Sequence, residues 1–217
     1  MSSRKLVVII GGTGTQVLFF ICSTVFAHPH LQCGSVLAEL SKHASEYALR
    51  VVTRDPTKSS AQGLLATCPG VELFQADLDD ASSLISAFTG AFTIYAYTNF
   101  FDVPFLDEEA WSRNENRERA QGMNLLNAAK ATKGLQHYIW SSTPDAAAQS
   151  NGKHNKVAFF QSKSQVSGAL QHEPELWGKT TELWIGFMYE NYKKFQPFFG
   201  PNPLPVSCIV SGAHGFC

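Results

Sequence analysis

No stretch of this chain reaches the roughly 18 uninterrupted apolar residues of a membrane-spanning helix, so no membrane association is expected. An excess of one charge sign is also missing. The 17 Lys and Arg are offset by 18 Asp and Glu, with no basic run, so the footprint of phosphate-backbone binding is absent and no direct nucleic-acid contact is expected. Cysteine is sparse: Cys22, Cys33, Cys68, Cys208 and Cys217 are odd in number and contain no CxxC pair. That excludes the usual patterns of a disulfide framework or zinc site and favours a reducing compartment. Internal repeats, charge blocks and low-complexity linkers are lacking too, and with them any sign of a domain boundary. A chain of 217 residues with 44% hydrophobic and 16% charged content can bury a sizeable core as one globular domain.

Two features imitate other classes. Arg4 and Lys5 precede an apolar stretch, and Val25-Phe26-Ala27 before His28 resembles a leader cleavage site. The polar Gly11-Gly12-Thr13-Gly14-Thr15-Gln16 splits that stretch, which a leader does not need and a cofactor loop does. The expected location is therefore the cytoplasm, with the nucleus as the alternative. His28 and His30 flank Pro29 without a third ligand at suitable spacing, so they read as an exposed turn and no metal is expected. His137, His154 and His172 are scattered, with no nucleophile elbow.

What is present is an alternation of strand and helix signals. Leu6-Val7-Val8-Ile9-Ile10 is a continuous apolar run ending in glycines, as suits a strand buried on both faces. Helical periodicity over 35–47 precedes a second strand at 48–53, and Asp55 before Pro56 is a helix-start signal. A third strand at 71–75 leads to a helix capped by Asp79 or Asp80 and carrying Leu84, Ile85 and Phe88. Residues 91–97 form a fourth strand, and 108–131 a long helix with Met123, Leu125, Leu126 and Ala129 on its apolar side, stopped by Gly134. A fifth strand at 136–141, a helix at 159–170 and a sixth strand at 181–187 follow. This order predicts an α/β doubly wound parallel sheet, with Ile9, Val52, Phe74, Ile94 and Ile139 buried in it.

The glycine loop sits directly after the first strand, where a tight turn lets a pyrophosphate approach helix amides; alone, such a loop is more often structural, and the strand context with the later strands reverses that. An acidic residue closing the second strand would hold an NAD ribose. Arg54 stands there instead, and its guanidinium fits a 2'-phosphate, which favours NADP, while Asp55 keeps NAD open. The alternative for 53–56 is a plain helix cap. Asp77 and Leu78 follow the third strand at the adenine edge, and Thr98 and Asn99 close the fourth beside the ribose and nicotinamide.

Gly-Gly-Thr-Gly-Thr-Gln at 11–16, Val-Thr-Arg-Asp-Pro at 52–56, Asp-Leu-Asp-Asp at 77–80, Thr-Asn-Phe at 98–100, Ser-Asn-Gly-Lys at 150–153 and Ser-Lys at 162–163 together resemble the NmrA-like family of the short-chain dehydrogenase superfamily. The resemblance covers about residues 4–204 and implies a Rossmann domain binding NAD(P) through Gly11, Thr13, Gly14, Gln16, Arg54, Asp77, Leu78, Thr98, Asn99 and Lys163. It implies either a redox-sensing regulator, which in fungi restrains a GATA-type transcription factor, or a reductase-like enzyme. The superfamily's Tyr-x-x-x-Lys pair reads Phe159-x-x-x-Lys163 here, so the phenol that donates a proton is missing. No catalytic residue is assigned, and the enzyme reading extends at most to an NAD(P)-dependent oxidoreductase. Lys163 retains the ribose role, while Ser141 and Ser142 serve equally well as loop caps.

Residues 17–32 interrupt the resemblance: the third glycine position of the turn is Val17, and the helix start is displaced from the loop. Removing these 16 residues cuts the Gly14-to-Arg54 separation from 40 to 24, near the usual ~20. The segment reads as a short intron translated in frame, and 205–217 as an unrelated tail. Family members usually continue for about another hundred residues, so a truncated, inert cofactor domain is a third reading. The chain lacking 17–32 is expected to bind NADP about tenfold or more tightly than the chain as given, because a restored helix N-terminus contributes roughly 1.4 kcal/mol or more. Parallel titrations of the two chains measure this, and equal affinities contradict it.

Overall fold

A strand covered on both faces by helices needs apolar residues at every position, and the first run supplies them. In the computed structural model, which describes residues 4–11, 33–102 and 108–185, that run is β1 (Lys5–Ile10), with Val7 to Ile10 all buried. It lies at the centre of a six-stranded sheet with β2 (Tyr47–Thr53), β3 (Glu72–Gln75), β4 (Thr93–Ala96), β5 (His137–Ser142) and β6 (Thr180–Trp184). The order is β3-β2-β1-β4-β5-β6 and every pair is parallel. This is the doubly wound Rossmann order, whose reversal between β1 and β4 opens a crevice at the carboxyl ends of the strands.

Alternate strand residues feed two helical layers. Val8, Ile10, Val52, Ile94, Tyr138 and Trp140 pack with residues of α3 (Ala81–Phe88), α4 (Glu108–Ala131) and α6 (Ala158–Gln171). Val7, Ile9, Leu49, Val51 and Tyr95 pack with α1 (Cys33–Ser41) and α2 (Ser59–Thr67). Two single turns, α5 (Ala146–Gln149) and α7 (Pro174–Trp177), flank α6 in the chain. Asp80 caps α3, its carboxylate accepting from the Ser82 and Ser83 amides at 2.9 and 3.3 Å. No helix among the described residues is long and apolar enough to cross a membrane.

Local expectations fail where tertiary pairing intervenes. The first helix ends at Ser41, not at Tyr47, because Tyr47 pairs with Lys5 and opens β2. Its last turn closes through the Lys42 amide to Glu39 and the His43 amide to Leu40. Asp55 does not start a helix. Its carboxylate accepts from the Thr57 amide at 2.8 Å and the Thr57 hydroxyl at 2.6 Å, and α2 begins only at Ser59. Ile9, Val52 and Ile94 are fully inside, whereas Phe74 and Ile139 are half-buried: β3 is an edge strand, and Ile139 faces the layer whose described helices pack over β1 and β2. Ile85 on α3 is exposed between the buried Leu84 and Phe88.

The α4–α6 contact depends on one missing side chain. A Cβ on Gly122 would lie 2.6 Å from Val166 Cγ2 and 3.3 Å from Trp140 Cη2, with all three residues buried. Gly122→Ala is therefore expected to destabilise the fold by about 1–3 kcal/mol through overpacking, despite alanine's better helix propensity. Its denaturation midpoint should fall, and Gly122→Ala paired with Val166→Ala should recover part of the loss.

Candidate functional site

The parallel order brings the expected site residues from distant parts of the chain to one edge. Gly11 follows β1 with φ +79°, a left-handed conformation that a side chain disfavours, which suits the first turn of a glycine loop. Thr13, Gly14 and Gln16, and the segment 17–32, lie outside the described residues. Arg54 follows β2 and is exposed; its carbonyl accepts from Gln75 Nε2 at 3.2 Å, tying it to the end of β3. Asp77 and Leu78 follow β3, and Thr98 and Asn99 follow β4. Lys163 reaches the β4 end from α6.

The loop after β3 is fixed by α3 and α4. The Asp77 amide donates to Ser83 Oγ at 3.0 Å, and the Asp77 carboxylate accepts from the Asp79 amide at 3.0 Å. Asn124 donates to the Leu78 carbonyl at 2.8 Å, and Asp79 accepts from Arg117 Nη2 at 2.8 Å and from Gln121 Nε2 at 2.9 Å. Burial pushes the Asp79 carboxyl up. The hydrogen bonds from Arg117 and Gln121, with the charges of Arg117 and Arg54, outweigh it and hold the group below the usual carboxylate range.

The end of β4 is held more tightly. Lys163 Nζ donates to the Thr98 carbonyl and Thr98 Oγ1, both at 2.7 Å, and to Glu118 Oε1 at 2.9 Å. Thr98 Oγ1 in turn donates to Glu118 Oε1 at 2.9 Å, and Ser162 donates to Glu118 Oε2. The ammonium lies 4.9 Å from the Tyr97 ring centroid and 5.6 Å from that of Trp140. Glu118, Ser162, Thr98 and Lys163 are all buried. Asn99 is half-buried, and its side chain accepts from the Phe101 amide at 3.1 Å, shaping the 3-10 turn Phe100–Asp102.

One helical turn before Lys163, the Phe159 ring packs against Phe160, Phe101 and Phe100 at 4.9, 6.0 and 6.1 Å between centroids. Phe159 and its neighbours thus form an apolar cluster at the start of α6. Ser142 is the last residue of β5, buried, within 2.8 Å of Ser167 Oγ, which also accepts from Trp140 Nε1 at 3.2 Å. It thereby joins β5 to α6, and its hydroxyl also lies 3.3 Å from the Thr143 carbonyl at the start of the following loop.

Sequence reasoning passed over Glu118, Arg117 and Gln121, and met Ser162 only within the Ser-Lys motif at 162–163. A signal existed for Glu118. Ala110, Asn114, Glu118, Gln121 and Leu125 recur at helical spacing on the buried side of α4, so the apolar stripe continues upstream as a polar one. The dense charge of that stretch disguises it as a solvated face.

The profile of the NmrA-like family matches residues 3–203. The chain belongs to the NmrA-like family. Two curated relatives are NmrA-like family domain-containing oxidoreductases. That of Aspergillus hancockii is 26% identical over 94% of this chain and 53% of its own length. That of Malbranchea aurantiaca is 29% identical over 73% and 40% respectively. The chain thus spans about half the length of the curated relatives it matches. Among solved structures, NmrA, a negative transcriptional regulator in complex with NADP, is similar with a TM-score of 0.58 and 23% identity, over 86% of this chain and 46% of that one. An NADPH-dependent quinone oxidoreductase of Escherichia coli complexed with NADPH gives 0.55 and 22%, over 88% and 53%. These likenesses support the Rossmann fold of this NmrA-like chain.

A carboxylate held below its ordinary range stabilises the fold above the unfolded pKa and loses that contribution as pH falls through the folded value. Asp79→Asn is therefore expected to lower unfolding free energy by roughly 1 kcal/mol near neutral pH, the scale for a half-exposed pair. The gap between the two proteins should close below about pH 4. Denaturant titrations at stepped pH test this; a gap unchanged down to about pH 2 contradicts it.

Proposed function

We propose that this NmrA-like chain binds a nicotinamide dinucleotide at the carboxyl edge of its sheet, NADP ahead of NAD, as a redox-sensing cofactor binder without conventional dehydrogenase chemistry. The observation that carries the preference is Arg54, exposed directly after β2 where an NAD site would have an acidic residue. Its guanidinium is suited to a 2'-phosphate. Asp77 and Leu78, on their braced loop, border the adenine, while Thr98, Asn99 and Lys163 border the nicotinamide ribose. Gly11, with Thr13, Gly14 and Gln16, is assigned to the pyrophosphate. The cofactor domain is taken as 4–204, interrupted at 17–32, and 205–217 as a tail.

A bound nicotinamide supplies or accepts a hydride. The protein's part in a carbonyl reduction would be a proton, and Phe159 has none to give. The regulatory reading follows, with a transcription factor or other protein as partner in the cytoplasm or nucleus. The second reading, an NADP-dependent oxidoreductase, is favoured by the names of the curated relatives. It requires a proton donor supplied by substrate or water, and turnover of NADPH with a reducible substrate distinguishes it.

Calorimetric titration should give a lower Kd for NADP than for NAD. Arg54→Ala should weaken NADP about tenfold, the lower end for a charge-assisted contact of about 1.5–3 kcal/mol, and leave NAD nearly unchanged. Equal affinities, or no loss in the variant, reject the preference.

A further inference from the structure

An ammonium has three protons, and a buried one needs an acceptor for each. Lys163 has that number among the described residues: the Thr98 carbonyl, Thr98 Oγ1 and Glu118 Oε1, at 2.7, 2.7 and 2.9 Å. Of these, Glu118 alone carries charge, and it reaches Lys163 from a different helix. Its second oxygen is held by Ser162, the neighbour of Lys163 in the chain, so the carboxylate is gripped at both ends of its fork. The Glu118 side chain is 1% exposed and that of Lys163 11%, so solvent screens the contact little and the open side of the ammonium is narrow.

We propose that Glu118 is the positioning residue of Lys163: it supplies the counter-charge that keeps the ammonium drawn inward against Thr98 at the end of β4. Lys163 thereby stands fully satisfied before any ligand arrives. A ribose diol reaching it exchanges for one of the Thr98 acceptors, and the Glu118 carboxylate keeps its own hold on the ammonium during that exchange. The second half of the inference rests on the cofactor reading above. The first half does not.

The test therefore has an arm without cofactor. Under acetic anhydride labelling followed by peptide mass spectrometry, Lys163 in the native chain should be among the slowest lysines to react. In Glu118→Gln it should react roughly tenfold faster, because local opening there is no longer opposed by the ion pair. Ser162→Ala, which keeps both charges and releases one end of the carboxylate, should fall between the two and serves if Glu118→Gln folds poorly. Unchanged Lys163 labelling in the folded variants overturns the proposal. In the second arm, Glu118→Gln should weaken NADP about fivefold or more, while adenosine 2',5'-bisphosphate, which lacks the nicotinamide ribose, changes less than about twofold. A general structural loss would weaken both ligands alike and overturn the positioning role. If the native chain binds neither ligand, the cofactor reading fails and the labelling arm alone decides the role of Glu118.

Discussion

A lysine and a glutamate buried side by side are stable only if their geometry offsets the loss of hydration, since each ion's desolvation costs several kcal/mol. Here the geometry closes: the ammonium has three acceptors, and the carboxylate accepts from Lys163, Thr98 and Ser162. Those partners come from the β4 end, α4 and α6, so one cluster joins a strand terminus to two helices. The same helices meet where Gly122 leaves no side chain against Val166 and Trp140. Trp140 extends the tie into β5 through Ser167, which Ser142 also contacts. The crevice wall is thus held by hydrogen bonds of low exposure that depend on close helix approach. Loss of either the glycine or the glutamate would loosen the other.

The opposite side of the crevice is built differently. The loop after β3 is held by Arg117, Gln121 and Asn124 of α4 and by Ser83 of α3, and the Arg117–Asp79 pair is partly in water. Screening makes such contacts individually weak, near 0–1 kcal/mol. Their number matters more than their strength. Three polar residues of one helix, spaced at 117, 121 and 124, contact Leu78 and Asp79, and Ser83 of α3 takes the Asp77 amide, so the loop is shaped although no single bond dominates. One helix, α4, therefore braces both halves of the candidate site with its polar upstream stripe.

The doubly wound sheet was legible because the first five strands are apolar runs bounded by turns, and parallel burial leaves that mark on composition. The helix capped by Asp80 and the long helix over 108–131 were legible for the same local reason. What was not legible depends on partners far along the chain. Tyr47 looks helical until Lys5 pairs with it, and Asp55 looks like a cap until Thr57 takes its carboxylate. Phe74 and Ile139 are as apolar as Ile9, yet their burial depends on which strand is at the edge and which helices overlie it. The strand-end residues Arg54, Asp77, Leu78, Thr98 and Asn99 could be placed from order alone. Glu118 could not, because its helical spacing on α4 is masked by the surrounding charge until the group that neutralises it is known.

That satisfied lysine also bears on how binding energy would be distributed in a dinucleotide site of this shape. A ligand hydroxyl that replaces an existing acceptor gains only the difference between two hydrogen bonds, whereas a phosphate meeting an exposed guanidinium forms a charge-assisted contact. The ribose end would then orient more than it attracts. Affinity would fall chiefly to Arg54 and to the contacts of the pyrophosphate. Phe159 would strengthen the asymmetry, since its aromatic cluster, one helical turn before Lys163, would offer a nicotinamide ring apolar contact and no further hydrogen bond. A site weighted in this way would discriminate strongly by 2'-phosphate and weakly by what lies beyond the ribose. In the proposed site dinucleotide binding would then be more sensitive to changes in the glycine loop than to changes on α6.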